Sequence, residues 1–192
     1  MARPALHSVD AMLDAARTLL LEHGVEHTTI QAIAAASGAP VGSLYNRFGS
    51  RAELLARLWL RAAGRSQAAC LPLLEAEPLQ AVLEVVRRLL AFTRSEPHDA
   101  RLLASFRRED LLGASESLNA SLAGLNEPVD RAVKELAKQL FGSARGEGAR
   151  RVRLAMLELP LAAVRSYLLA GRAMPADLDP HVLRAARAIL TD

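Results

Sequence analysis

An all-α chain is the fold that the sequence predicts, and three observations predict it. Apolar residues recur at three- and four-residue spacing along most of the length, the pattern of a helix with one buried stripe. Alanine, leucine and arginine dominate while aromatic residues make up 4% of the 192, a balance that favours helix over sheet. Glycines and prolines stand between the periodic stretches, where helices stop and start. The expected architecture is a three-helix helix-turn-helix unit at the N-terminus and a larger helical domain behind it, about nine helices in all. The division is placed at residues 1–57 and 58–192.

Ser8 is the expected N-cap of a first helix to about His23, with Val9, Met12, Leu13, Ala16, Leu19 and Leu20 as its apolar stripe. Thr28 and Gln31 have capping-box spacing, so a second helix is expected there, showing Ile30, Ile33 and Ala34 on one face. Gly38 ends it. Pro40 then sits in the first turn of a short helix through about Arg47. Ser50 with Glu53 repeats the capping-box spacing and opens a fourth helix, to about Cys70, from which Leu54, Leu55 and Leu58 reach the core.

Pro72 and Pro78 bracket a connection to a fifth helix, ending near Arg94, that buries Val82, Val85, Val86, Leu89 and Leu90. Pro97 opens a sixth, carrying Leu102, Leu103 and Phe106 and ending at Gly113. Two longer helices are expected next, one over Leu118–Leu140 and one over Leu154–Leu168, each bent by an interior proline, Pro128 and Pro160. A last helix from Pro180 to about Leu190 places Val182, Ala186 and Ile189 on one face.

Composition excludes several classes. The single cysteine, Cys70, cannot form an internal disulfide and is read as inert core filler, which suits a reducing cytoplasm. The N-terminal MARPALHSVDAML lacks the apolar core of a secretion signal, and no apolar run approaches the ~20 residues of a membrane span. A soluble, cytoplasmic protein without cofactor or metal is therefore expected. His98 beside Asp99 reads as a solvated helix start, and Arg107-Arg108-Glu109-Asp110 as a solvated ion-pair cluster. No Ser–His–Asp pattern, phosphate loop or Cys/His cluster is present, so no catalytic residue is assigned. Net charge helps little: over residues 1–57, arginines 3, 17, 47, 51 and 57 face acids 10, 14, 22, 26 and 53.

Helix, glycine turn, short helix is how a protein offers one exposed helix to the DNA major groove. Gly24, Thr28, Thr29, Ile30, Ile33, Ala34 and Gly38, then Gly42, Ser43, Leu44, Tyr45 and Phe48, then Ser50, Arg51, Glu53 and Leu54 carry a family pattern in their joint order and spacing. Over about the first sixty residues the chain resembles the TetR family of transcriptional regulators. The resemblance implies a homodimer, joined through its last two helices, that binds a palindromic DNA operator. It further implies a repressor released by a small, often apolar effector. Pro40 and Val41 stand where many relatives carry a small hydroxyl and a polar or basic residue, which removes donors from the start of the reading helix.

The DNA-facing candidates are Thr29, Gln31, Val41, Gly42, Ser43, Tyr45, Asn46, Arg47 and Arg51. Asn46 suits an adenine edge and Ser43 a base or the backbone, while Gly42 allows close approach. Tyr45, by the resemblance, contacts phosphate. Arg47 and Arg51 fit phosphate clamps, Arg51 from the first turn of a capped helix, and Thr29 and Gln31 reach phosphate from the second helix. Leu44 and Phe48 hold the reading helix from below, and Trp59 is a packing residue. Phe92, Phe106, Met156 and Tyr167 are the candidates for lining an effector pocket, with core filling as their ordinary role. Two alternatives stay open: a constitutive DNA binder without a ligand, and a helical protein–protein adaptor that kept the scaffold but lost DNA reading.

Overall fold

The structure is a computed structural model that describes residues 8–71, 77–106 and 115–191. The described residues are helical, with no strand among them. They fall into two compact units, Met1–Ala62 with Ser105–Gly124, and Ala63–Ala104 with Leu125–Asp192. The start of the N-terminal MARPALHSVDAML stretch, Pro72, the run Arg107–Asp110 and the expected helix stop at Gly113 lie outside the described residues.

In the first unit, α1 (Val9–His27) starts where Ser8 accepts a hydrogen bond from the Ala11 N–H at 3.0 Å. Met12, Leu13, Ala16 and Leu20 form its buried stripe, while Val9, in its first turn, is exposed. Gly24 breaks the regular helix with φ 79° and ψ 177°, a conformation closed to other residues, so the helix proper ends at His23 as expected. The next junction departs from expectation. Thr28 does not cap α2 (Ile30–Ser37). Its side chain turns inward, wholly buried, and its hydroxyl donates to the Gly24 carbonyl at 2.8 Å. Thr29 is the N-cap, in extended geometry, accepting from the Ala32 N–H at 3.1 Å. The break at Gly24 leaves a carbonyl to be satisfied, and Thr28 is the nearest buried donor, so the cap moves one residue along and Gln31 is left exposed.

Gly38, at φ 68°, ends α2, and α3 spans Val41–Phe48. Pro40 is the N-cap residue of α3, just ahead of its first turn, and supplies no side-chain bond. Ser50 caps α4 (Arg51–Cys70) by accepting from the Glu53 N–H at 3.1 Å. The Glu53 carboxylate accepts from the Ser115 N–H at 2.6 Å, just before α7 (Glu116–Gly124), and these Ser115 bonds hold its carboxyl below the usual range. Arg61 on α4 clasps α1, donating to Asp10 at 2.8 Å and to Asp14 at 2.6 Å. The Trp59 indole donates to the Phe106 carbonyl at 3.2 Å. Met12, Ile33, Leu44, Leu54 and Leu58 are fully buried in this unit.

The second unit holds α5 (Pro78–Ser95), α6 (Pro97–Ser105), α8 (Glu127–Phe141), α9 (Gly146–Arg153), α10 (Leu159–Leu169) and α11 (Leu178–Thr191). Val82, Val86, Leu90, Leu136, Val152, Met156, Val164 and Ala186 form one core. The two prolines expected inside bent helices are accommodated differently. Leu118–Leu140 is two helices rather than one: α7 stops at Gly124 and Pro128 stands in the first turn of α8, where no N–H is needed. Pro160 follows a π-helical turn, Leu154–Glu158, closed by a bond from the Leu159 N–H to the Leu154 carbonyl. The wider turn absorbs the missing donor without ending the helix. Cys70 is buried in this unit, and burial pushes its thiol up to about 11.

Two outcomes check this description. Thr29→Ala lowers stability by about 1 kcal/mol in urea denaturation while Gln31→Ala is near neutral, because only the first removes a cap. Cys70 resists alkylation by iodoacetamide near neutral pH until the chain is unfolded, since it is both covered and protonated.

Candidate nucleic-acid interface

Helix α3 is two-faced, and that is what makes it a candidate reading element. Leu44 and Phe48, one turn apart, are buried at 0% and 3% exposure. Val41, Gly42, Tyr45, Asn46 and Arg47 are exposed, Tyr45 by 48%, and Ser43 lies half-buried at the edge. The eight-residue helix thus spends its two large apolar side chains on anchorage and turns its polar ones outward. Arg57 of α4 lies over the Phe48 ring, 5.9 Å from its centre, adding a cation–π contact to the anchorage.

Gly42 has no packing reason within the chain. A Cβ built there meets no atom within 4 Å, so its lack of a side chain leaves room for something outside the chain to come close. The first amides of α3 have no side-chain cap, since Pro40 offers none, and they form the positive end of the helix. Thr29 and Gln31 are exposed at the start of α2, although the Thr29 hydroxyl already accepts the capping bond.

Arg51 has a further job that the sequence did not reveal. Its Nε donates to the Thr28 carbonyl at 2.6 Å and a terminal nitrogen donates to the Val25 carbonyl. It therefore ties the start of α4 to the junction between α1 and α2, with part of its guanidinium already committed. Arg47 has no ion pair among the described residues and is the cation that α3 itself presents. Asp10 and Asp14 are both held by Arg61, whose single charge offsets one of the acids counted against the arginines. No local pattern could have shown the Arg51 and Arg57 contacts, which join residues distant in sequence or on different helices.

Of the four residues named as pocket candidates, only Tyr167 lines the cleft found in the second unit, with Arg94, His98, Arg101, Leu168, Arg172 and Met174. Phe92 and Met156 are buried in the core of that unit, and Phe106 belongs to the first unit, where its carbonyl accepts from Trp59. Among the described residues no group of three or more His, Cys, Asp or Glu is placed to hold a metal ion. No helix among them is long and apolar enough to cross a membrane.

A capped three-helix arrangement with one anchored, outward-facing helix defines a helix-turn-helix DNA-binding fold. Residues 12–58 match the family model for bacterial regulatory proteins of the tetR family. Residues 12–58 are accordingly similar to the DNA-binding region of that family, and the chain as a whole has a TetR-like fold. A TetR-like transcriptional regulator from Rhodococcus sp. RHA1 superposes with a TM-score of 0.70 at 19% identity, over 99% of this chain and 96% of the other. A regulatory protein of the tetR family from Rhodococcus RHA1 gives 0.76 at 15% identity, over 95% and 96%. A TetR-family regulator from Marinobacter aquaeolei VT8 gives 0.70 at 16%, over 96% and 95%. No functionally curated protein matches the chain.

The two arginines separate in a stability measurement. Arg51→Ala costs about 1–3 kcal/mol in urea denaturation, because two backbone carbonyls lose a charged donor. Arg47→Ala stays within about 0.5 kcal/mol, as expected for an exposed side chain without a partner.

Proposed function

We propose that this protein is a transcriptional repressor that binds a roughly palindromic operator as a homodimer and leaves it when a small molecule binds the second unit. The carrying observation is the two-faced α3, whose apolar side is anchored by Leu44 and Phe48 while Gly42, Tyr45, Asn46 and Arg47 face outward. In this reading Ser43 and Asn46 contact base edges and Val41 lies against the groove. Gly42 lets the backbone close on the duplex, and Tyr45, Arg47, Thr29 and Gln31 meet phosphates. Arg51 contributes chiefly by holding the unit together, with its remaining donor toward phosphate. The proposed division remains a DNA-binding domain over 1–57 and a ligand-binding and dimerisation domain over 58–192, working in the cytoplasm.

Dimerisation through the last two helices is supported by apolar exposure on and next to α10. Leu154, Leu161 and Leu169 are exposed by 42%, 50% and 43%, more than leucines of a finished core. Two copies related by a two-fold axis would present two reading helices to successive turns of one face of the duplex. A protein–protein adaptor is the reading that Val41 favours, since an exposed valine behind a proline opens the helix where a donor would serve DNA.

Selection from a random duplex library with the purified chain decides between them. An enriched inverted repeat is expected; no enrichment from folded, dimeric protein would sink the regulator. On the selected site, Tyr45→Phe with Arg47→Ala weakens binding to all sequences and lowers the salt slope by about one unit, measured by fluorescence anisotropy across salt concentrations.

A further inference from the structure

The cleft at the junction of α5, α6 and the end of α10 carries a ligand chemistry of its own. It measures about 410 Å³, within the size range of small-molecule sites. Arg94, His98, Arg101 and Arg172 line it together with Pro97, Tyr167, Leu168 and Met174, and no acidic side chain is among its lining residues. Arg94 is already neutralised, donating to both oxygens of Asp179 at 2.7 Å. Arg101 and Arg172 have no acidic partner among the described residues.

The backbone builds this arrangement. Gly171, at φ 61°, ends α10 in the left-handed region. Its N–H bonds the Leu168 carbonyl at 3.1 Å, and the Arg172 N–H bonds the Tyr167 carbonyl at 2.9 Å. This paired termination turns Arg172 back over the helix end, where its guanidinium lies over the Tyr167 ring, 5.6 Å from the centre. Arg101 approaches from α6, its terminal nitrogen 3.8 Å from where a Cβ on Gly171 would stand, an ordinary contact distance, so it is the left-handed φ and not crowding that calls for glycine. On the other wall the Thr93 hydroxyl donates to the Leu90 carbonyl at 2.7 Å and lies 3.6 Å from the Met174 sulfur, beside buried Leu168.

We propose that this cleft binds a small organic carboxylate with an apolar body. Two guanidiniums without counter-charge in one concavity repel each other, and a carboxylate relieves that repulsion while accepting paired hydrogen bonds from an arginine fork. The apolar body then covers Leu168, Met174 and the Tyr167 ring. This deepens the regulator reading by giving the effector a chemical class, and it rests on that reading only in calling the ligand an effector.

Isothermal titration of the full chain without DNA reads the site by itself, so its failure is distinct from a failure to select an operator. Octanoate is expected to bind saturably and about tenfold or more tighter than octanol, with Arg101→Gln and Arg172→Gln each weakening it by about tenfold. Arg165→Gln, an exposed arginine of α10 outside the cleft, leaves binding unchanged. Equal binding of octanol, no saturable octanoate binding, or wild-type affinity in both cleft variants would overturn the site. Inorganic phosphate binding as tightly as octanoate would overturn the apolar half of the proposal.

Discussion

The orientation of α3 depends on burying Leu44 and Phe48. A helix of eight residues is too short to persist by its own hydrogen bonds, so it exists because these two side chains fill the core of the first unit. Everything asked of the outward face follows from that anchorage. Tyr45, Asn46 and Arg47 can point away only because Leu44 and Phe48, which flank them, point in. Removing either anchor would loosen the whole reading surface, not one contact in it.

Around this anchorage, polar groups hold the chain where apolar burial cannot. The break at Gly24 exposes carbonyls that a continuous helix would have used. Thr28 answers one from within the core, and Arg51 reaches across from α4 to the carbonyls of Val25 and Thr28. Glu53 bonds the Ser115 amide, and Arg61 clasps Asp10 and Asp14, so the segments of the unit are tied by charge-assisted bonds at several points. Arg51, whose place in the first turn of a capped helix suits a phosphate clamp, is thereby first a structural residue. Affinity for DNA, in the regulator reading, leans accordingly on Arg47, on the helix start and on the dimer.

The prolines show where local reading reaches its limit. Apolar spacing runs unbroken across both Pro128 and Pro160, so by spacing alone each reads as a bend inside a long helix. Around Pro128 the chain stops and restarts, and the proline takes the first turn, where its missing N–H costs nothing. Around Pro160 the helix continues through one widened turn. Apolar periodicity cannot tell these outcomes apart, because either keeps the same side chains facing the core.

The sequence by itself determined the all-helical class, most helix starts and stops and the capped, glycine-turned arrangement around α3. These depend on backbone preferences and short-range bonds that a few neighbouring residues carry. It also carried the division of α3 into an anchored and an outward face, since that follows from helical period alone. Tertiary structure decided which threonine caps α2, what Arg51 and Arg57 hold, and that Tyr167 stands in a cleft with unpaired arginines while Phe92 and Met156 lie in the core and Phe106 in the other unit. Those outcomes depend on side chains brought together from distant or separate segments, and no local spacing encodes which distant carbonyl or ring will be within reach.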